Sequence, residues 1–272
     1  MLQHHISRPL CGSITYPTFS IGCVMKETRM KRGWMSSEIR LLMAGALLLL
    51  AGNDRRAAAE PPAQPAAKQQ PAKAAEGPYA WKNLLDGKTL NGWKSPNFGG
   101  EGAVTVKDGV VKLAMGNDMT GITYTGKVPT NNYEIALEGK RISGNDFFAT
   151  TTFPVGDAPC SFVVGGWAGS VIGLSSIDGY DASENPTSQV MDFKTDQWYR
   201  IRIRVTSAKV EAWIDDQRVV DQERAGHRFS IRGECELCQP LGVCTWCTEA
   251  GLRNIRIRPL RPEEVAAAAK NE

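Results

Sequence analysis

The chain has 272 residues, with 32 Lys+Arg against 29 Asp+Glu and 42% hydrophobic residues. These values fit one large globular domain or two small ones and exclude a collagen-like or wholly disordered polypeptide. The three histidines, His4, His5 and His227, are too few for a multi-histidine zinc centre once the first two are assigned to a leader.

The first feature in chain order is the apolar run Leu41–Gly52, LLMAGALLLLAG. It is shorter than the roughly twenty residues of a bilayer-spanning helix. Lys31, Arg32 and Arg40 precede it and Ala57-Ala58-Ala59 follows, the layout of a secretory signal peptide. Residues 1–59 therefore read as a leader cleaved near Ala59, within which 1–29 precede the more conventional starts at Met30 and Met35. The mature chain is then periplasmic or secreted, with no stable membrane span; an uncleaved N-terminal anchor is the alternative. Residues 60–78 are an Ala/Pro-rich linker with almost nothing to bury. The leader holds eight basic and three acidic side chains, which leaves 24 basic against 26 acidic downstream. Nucleic acid loses its electrostatic support as a partner.

Residues 79–260 read as all-β. The clearest strand is Trp198–Val205, WYRIRIRV, in which Tyr199, Ile201, Ile203 and Val205 alternate with Arg200, Arg202 and Arg204. Lys209–Ile214 is its partner, with Asp215-Asp216 in a hairpin turn, and Asp108-Gly109 marks another tight turn. Further strands are expected at 104–106, 110–114, 133–137, 147–153, 161–164, 170–174 and 254–258. Many short strands without a long helical period predict a jelly-roll sandwich of two antiparallel sheets. The tail, 261–272, contains the short helix candidate PEEVAAAAK.

Leu84–Trp93, LLDGKTLNGW, resembles the opening of the 3-keto-disaccharide hydrolase family. The likeness continues through Asp108-Gly109-Val110, Asn132–Ile135, Trp198–Ile201 and Leu252–Arg258. It implies a concanavalin A-like jelly roll acting on 3-keto-glycosides, cleaving by elimination and then hydrating the enone. The middle departs from the family pattern. Where most members carry Asn-Ser-Gly and Glu-x-Gln-x-x-Asp, this chain has LEGKRISGNDFF at 137–148 and GGWAGSVIGLSSIDGYDASEN at 165–185.

Elimination beside a ketone needs a base and an electrophile for the developing enolate, and with one histidine the base falls to carboxylates. Asp146, Asp178 and Glu138 are the catalytic candidates. Arg141, Trp167, Asp181 and Asn185 are the substrate-binding candidates, Arg141 as enolate partner and Trp167 as aromatic platform. The plainer readings are a core position for Trp167, a surface ion pair for Arg141 and Asp146, a solvated loop for His227, and a capped turn for Asp181–Glu184. Asp178, Asp181, Ser183 and Asn185 offer oxygen ligands for a divalent cation such as calcium. Cys235, Cys238, Cys244 and Cys247 read C-x2-C-x5-C-x2-C, a spacing tighter than paired zinc knuckles. A hairpin carrying cross-strand disulfides, or structural thiols with Cys160 left over, is the first reading; a metal site is the second. The expected partner is a carbohydrate substrate or glycan, and the rival to an enzyme is a non-catalytic glycan-binding or structural cell-surface domain.

Overall fold

The computed structural model describes residues 77–270. The leader, most of the linker, the cleavage point near Ala59 and the alternative starts lie outside the described residues. Within them the elements in chain order are β1 Lys82–Asn83, β2 Trp93–Lys94, β3 Val104–Lys107, β4 Val110–Leu113, β5 Met119–Tyr124, β6 Tyr133–Gly144, β7 Thr150–Val155 and β8 Ala158–Gly166. There follow β9 Val171–Ser175, β10 Gln189–Val190, β11 Tyr199–Val205, β12 Lys209–Ile214, β13 Gln217–Glu223, a 3₁₀ turn at Gly233–Cys238, β14 Gly242–Trp246, β15 Thr248–Pro259 and helix α1 Pro262–Lys270.

The strands form two antiparallel sheets, the predicted sandwich. One has the order β13-β12-β11-β6-β15-β4-β3 with β1 on β15, and the other β10-β9-β8-β7-β14-β5-β2. In β11, Tyr199, Ile201, Ile203 and Val205 are buried as the alternation requires, while Arg200, Arg202 and Arg204 lie on the opposite face. The first sheet's Ile135, Leu137, Ile201 and Ile203 join the second sheet's Phe153, Phe162, Ile172, Leu174 and Val243 in one core. Both predicted two-residue turns carry positive φ throughout, 52° and 80° at Asp108-Gly109 and 49° and 71° at Asp215-Asp216. That is the twist a tight hairpin needs, and Asp and Gly tolerate it.

Guanidinium groups cover the outer face of the eight-stranded sheet. Arg202 stacks 3.7 Å from the centroid of Trp213, Arg253 4.0 Å from Trp198 and Arg256 4.7 Å from Trp81. Beneath this layer, buried Glu134 accepts from Arg202, Arg204 and Arg258.

The outer face of the seven-stranded sheet is different, because the 3₁₀ turn folds back over β14 and β5. Thr123 Oγ1 donates to Leu237 O at 2.7 Å, fixing the turn on the sheet. A Cβ at Gly242 would stand 2.6 Å from Cys238 O and 2.8 Å from Cys238 Cα. These are backbone atoms that cannot swing aside. Gly242→Ala is therefore expected to cost roughly 1–3 kcal/mol. Thermal unfolding checks this, at roughly 2–4 °C per kcal/mol for a domain of this size.

Candidate functional site

In β8 and β9 the side chains of Phe162, Val164, Ile172 and Leu174 enter the core, so Ser161, Val163 and Ser175 face the other way. With Thr150 of β7 they floor a cleft of about 160 Å³, walled by Phe147, Trp167 and Trp246 and rimmed by Asp146, Arg232, Glu234 and Cys235. Phe147 and Trp246 pack against each other with ring centroids 6.4 Å apart. Ser161 Oγ shares a 2.8 Å hydrogen bond with Thr152 Oγ1. The Thr150 hydroxyl is buried and has no hydrogen-bond partner among the described residues.

Asp146 sits where β6 turns toward β7. Its Oδ1 accepts from Phe147 N at 2.7 Å, and its Oδ2 accepts from Ala168 N at 3.2 Å. Burial raises its pKa above the ordinary carboxylate value, against the lowering effect of those amides and of Arg141. The Ala168 bond ties Asp146 to the β8–β9 turn, where Trp167 and Ala168 hold φ of 48° and 66°. Two consecutive non-glycine residues in the left-handed region are costly, and a turn of this kind persists where its surroundings hold it. The result is that Trp167 stands 39% exposed at the cleft wall, not in the core.

Arg232 spans the opposite wall. Its Nη1 donates to Asp181 Oδ2 at 2.8 Å and its Nη2 to Glu234 Oε1 at 2.8 Å. Its guanidinium lies 5.9 Å from the Trp167 centroid. Hydrogen bonding to Glu234 raises the Arg232 pKa despite burial. Burial is the largest single influence on Glu234 and raises it, but the Arg232 hydrogen bond, a backbone amide and the Arg232 charge together bring the net shift downward. The cleft thus holds one carboxylate inclined to take up a proton and one fixed as a counter-ion.

Of the residues expected from the sequence, Asp146 and Trp167 come together here and Asp181 serves behind Arg232. The others do not. Glu138 lies on the outer face of the eight-stranded sheet, bonded to Arg253 at 2.8 Å and Asn254 at 2.7 Å, so the core separates it from the cleft. Arg141 is buried beneath the Trp167 turn and donates to Gly169 O at 2.8 Å, with Phe148 5.3 Å below its guanidinium. It braces the turn from behind, and Arg232 takes the position expected for Arg141 at the cleft. Asp178 accepts from Arg228 N at 2.8 Å and pairs with His227 Nδ1 at 2.7 Å, outside the cleft. The Arg228 amide, followed by His227, holds the Asp178 carboxyl below its usual range. Asn185 is buried, its amide nitrogen donating to Leu174, Tyr180 and Asp181 carbonyls and its oxygen accepting from Thr187. That commitment removes Asn185 from any set of calcium ligands. Asp181 Oδ1 accepts from Ser183 N and Oγ, and Asp181 O accepts from Glu184 N and Asn185 N, so Asp181 caps the one helical turn that the plainer reading expected.

The expected cysteine hairpin is also corrected. Cys235 and Cys238 lie on the 3₁₀ turn and Cys244 on β14, so the first pair does not occupy a strand. Cys160, Cys235, Cys238 and Cys244 are free, buried thiols, and Cys247 Sγ donates to Asn117 O at 3.0 Å. Among the described residues no group of three or more His, Cys, Asp or Glu is arranged to hold a metal ion. None of the helices there is long and apolar enough to cross a membrane.

The fold and cleft define a β-sandwich with a hydroxyl-floored, aromatic-walled site on one sheet. Residues 80–258 match the 3-keto-alpha-glucoside-1,2-lyase-like domain, and the chain belongs to that family of carbohydrate-active domains. Similar solved structures include a galectin-like protein of unknown function from Bacillus subtilis, at 10% identity and TM-score 0.49, covering 70% of this chain and all of that one. Another is the carbohydrate-binding module CBM66 from Bacillus subtilis, at 11% identity and TM-score 0.41, covering 61% and 95%. A third is a glycosyl hydrolase-like protein from Parabacteroides distasonis, at 13% identity and TM-score 0.43, covering 66% and 94%. No curated protein matches the chain.

Proposed function

We propose that the cleft binds 3-keto-glycosides outside the cytoplasm, after export of the chain, and cleaves them by elimination followed by hydration. One observation carries the reading: a carboxylate whose pKa is raised by burial shares an aromatic-walled cleft with a braced arginine. The C3 ketone acidifies the C2 proton. Asp146 takes that proton, Arg232 stabilises the enolate oxygen through charge-assisted hydrogen bonds, and collapse of the enolate expels the C1 aglycone, whose oxygen takes up a proton. Water then adds to the enone at C1, with Asp146 returning its proton to C2. Ser161 and Ser175 supply hydroxyls for the ring's polar edge, and Trp167 supplies a flat apolar face.

Incubation of the purified chain with a 3-keto-glucoside, following aglycone release, tests the reading; absence of turnover alongside measurable binding would overturn it. That outcome is the second reading, a glycan-binding domain without catalysis. It is favoured by the two backbone amides on the Asp146 carboxylate, which suit a strut as well as a base.

Both readings place the sugar against Trp167. Trp167→Ala is expected to weaken glycan binding roughly tenfold, somewhat more than 1 kcal/mol, as for a central aromatic anchor. Alanine occupies the same left-handed position no worse than tryptophan, so the fold should survive. Calorimetric titration of the variant with the same ligand checks this, and unchanged affinity would remove Trp167 from the site.

A further inference from the structure

Arg141 is 7% exposed and, among the described residues, makes no ion pair. Its Nε has no hydrogen-bond partner there, and its guanidinium faces the rings of Phe148 at 5.3 Å and Phe193 at 6.0 Å. A buried charge without a counter-ion costs stability, and a methionine would fill the same aromatic hollow without that cost. What only the guanidinium supplies is a directed donor. Its Nη2 donates to Gly169 O at 2.8 Å, a charge-assisted bond to the turn that carries Trp167.

That turn is left-handed at four of the five residues from Gly165 to Gly169, with φ of 77° at Gly165, 48° at Trp167, 66° at Ala168 and 107° at Gly169. A Cβ on Gly165 would stand 3.0 Å from Arg141 Nη2, and one on Gly169 would stand 2.8 Å from Nη1. The two glycines thus let the backbone settle directly onto the guanidinium. A second hold comes from the cleft rim, where Asp146 Oδ2 accepts from Ala168 N at 3.2 Å. Asp146 and Arg141 therefore grip neighbouring residues of one strained turn.

We infer that Arg141 is a positioning residue of the cleft: its hold on Gly169 O keeps Trp167 at the wall and the Ala168 amide on Asp146. It does not touch the ligand, and its role rests on the reading of the cleft as a glycan site. Charge adds to the effect. Burial raises the Asp146 pKa, and the Arg141 charge is among the influences opposing it. Loss of Arg141 removes that charge and loosens the Ala168 bond, and both changes raise the Asp146 pKa further.

The test compares the full chain with Arg141→Met and Arg141→Lys. In Arg141→Met the amides of Ala168, Gly169 and Ser170 should exchange with solvent at least roughly tenfold faster, with β11 and β15 unchanged. Affinity for a 3-keto-glucoside should fall roughly tenfold, as for Trp167→Ala, and the double variant should bind no more weakly than Trp167→Ala alone. The Asp146 carboxyl, titrated by carbon NMR, should ionise at higher pH in Arg141→Met than in the wild type. In Arg141→Lys, which keeps the charge, it should ionise where the wild type does. Additive losses of about a hundredfold in the double variant, an unmoved Asp146 titration or unchanged exchange would each overturn the inference. So would failure of Arg141→Met to fold, because Arg141 would then serve the core. The exchange measurement needs no ligand. A wild-type chain that binds no 3-keto-glucoside therefore overturns the reading of the cleft, whereas unchanged exchange overturns the role of Arg141.

Discussion

Replacing Asp146 by asparagine should lower the turnover of a 3-keto-glycoside by roughly 10²–10⁴-fold, the usual contribution of a positioned general base. Binding should change little, because asparagine keeps an acceptor for Phe147 N and fills the same space at the cleft rim. The loss should therefore appear in kcat with KM nearly constant. The wild-type pH profile supplies a second check. A base works when deprotonated, so the rate should fall as pH drops through the Asp146 pKa. Burial raises that pKa, placing the acid limb above the ordinary aspartate value of about 4. An acid limb at or below that value would assign the limb to another group.

The same shift has the opposite sign for stability. A carboxyl with a raised folded-state pKa contributes most below its unfolded pKa, and that contribution is lost as pH rises through the folded value. Removing the charge relieves this burden at neutral pH. The variant forfeits mainly the bond to Ala168 N, about 1 kcal/mol or less. Asp146→Asn should thus fold normally, and a large drop in thermal stability would point to the strut role instead.

On the other sheet, Glu134→Ala should destabilise the domain by about 3–5 kcal/mol, the range for breaking a buried ion pair from one side. Glu134 is 1% exposed and meets Arg202 Nη1 at 2.7 Å, Arg204 Nη2 at 3.3 Å and Arg258 Nε at 2.8 Å. Without it, Arg258 retains Glu264 and Arg204 retains a 3.8 Å contact with Glu211, but Arg202 keeps only its stacking on Trp213. Three guanidiniums then repel one another beneath the sheet's outer layer. Urea denaturation of the alanine and glutamine variants checks this, with Glu134→Gln expected between wild type and Glu134→Ala because it keeps the acceptor and loses the charge. A change below about 1 kcal/mol for alanine would mean that water screens the cluster as it does surface pairs.

How much was legible differed from strand to strand for a definable reason. WYRIRIRV announced itself because one face meets the core and the other meets water, so apolar and charged residues alternate. Met119–Tyr124 and Gly242–Trp246 escaped notice because the 3₁₀ turn covers their outer face. Buried on both sides, they carry no alternation, only short runs such as GVCTW. The C-x2-C spacing suggested a hairpin through that region, whereas the first two cysteines belong to the cover and the third to the strand beneath.

The site was half legible for a related reason. Asp146 and Trp167 stood out as a carboxylate and an aromatic residue among small residues and turns. Arg232, Glu234, Trp246 and the hydroxyls of Thr150, Ser161 and Ser175 gave no comparable signal. Arg232 is an ordinary charged residue in IRGE, and the hydroxyls read as strand filler. Glu138 and Asp178 failed as candidates because their chemistry is spent on partners distant in sequence, Arg253 and Asn254 for one and His227 and Arg228 for the other.

The sequence by itself determined the β-sandwich, its tight turns and the core side chains of the alternating strands, because alternation and turn chemistry are local properties written along each such strand. The tertiary structure decided the cleft. Asp146 and Arg232 line one cleft only because β8 and β9 carry their turn above β7, while the 3₁₀ turn folds over β14 from the far end of the chain. Burial of Asp146 and the bracing of Arg232 follow from that convergence, and no local pattern encodes it.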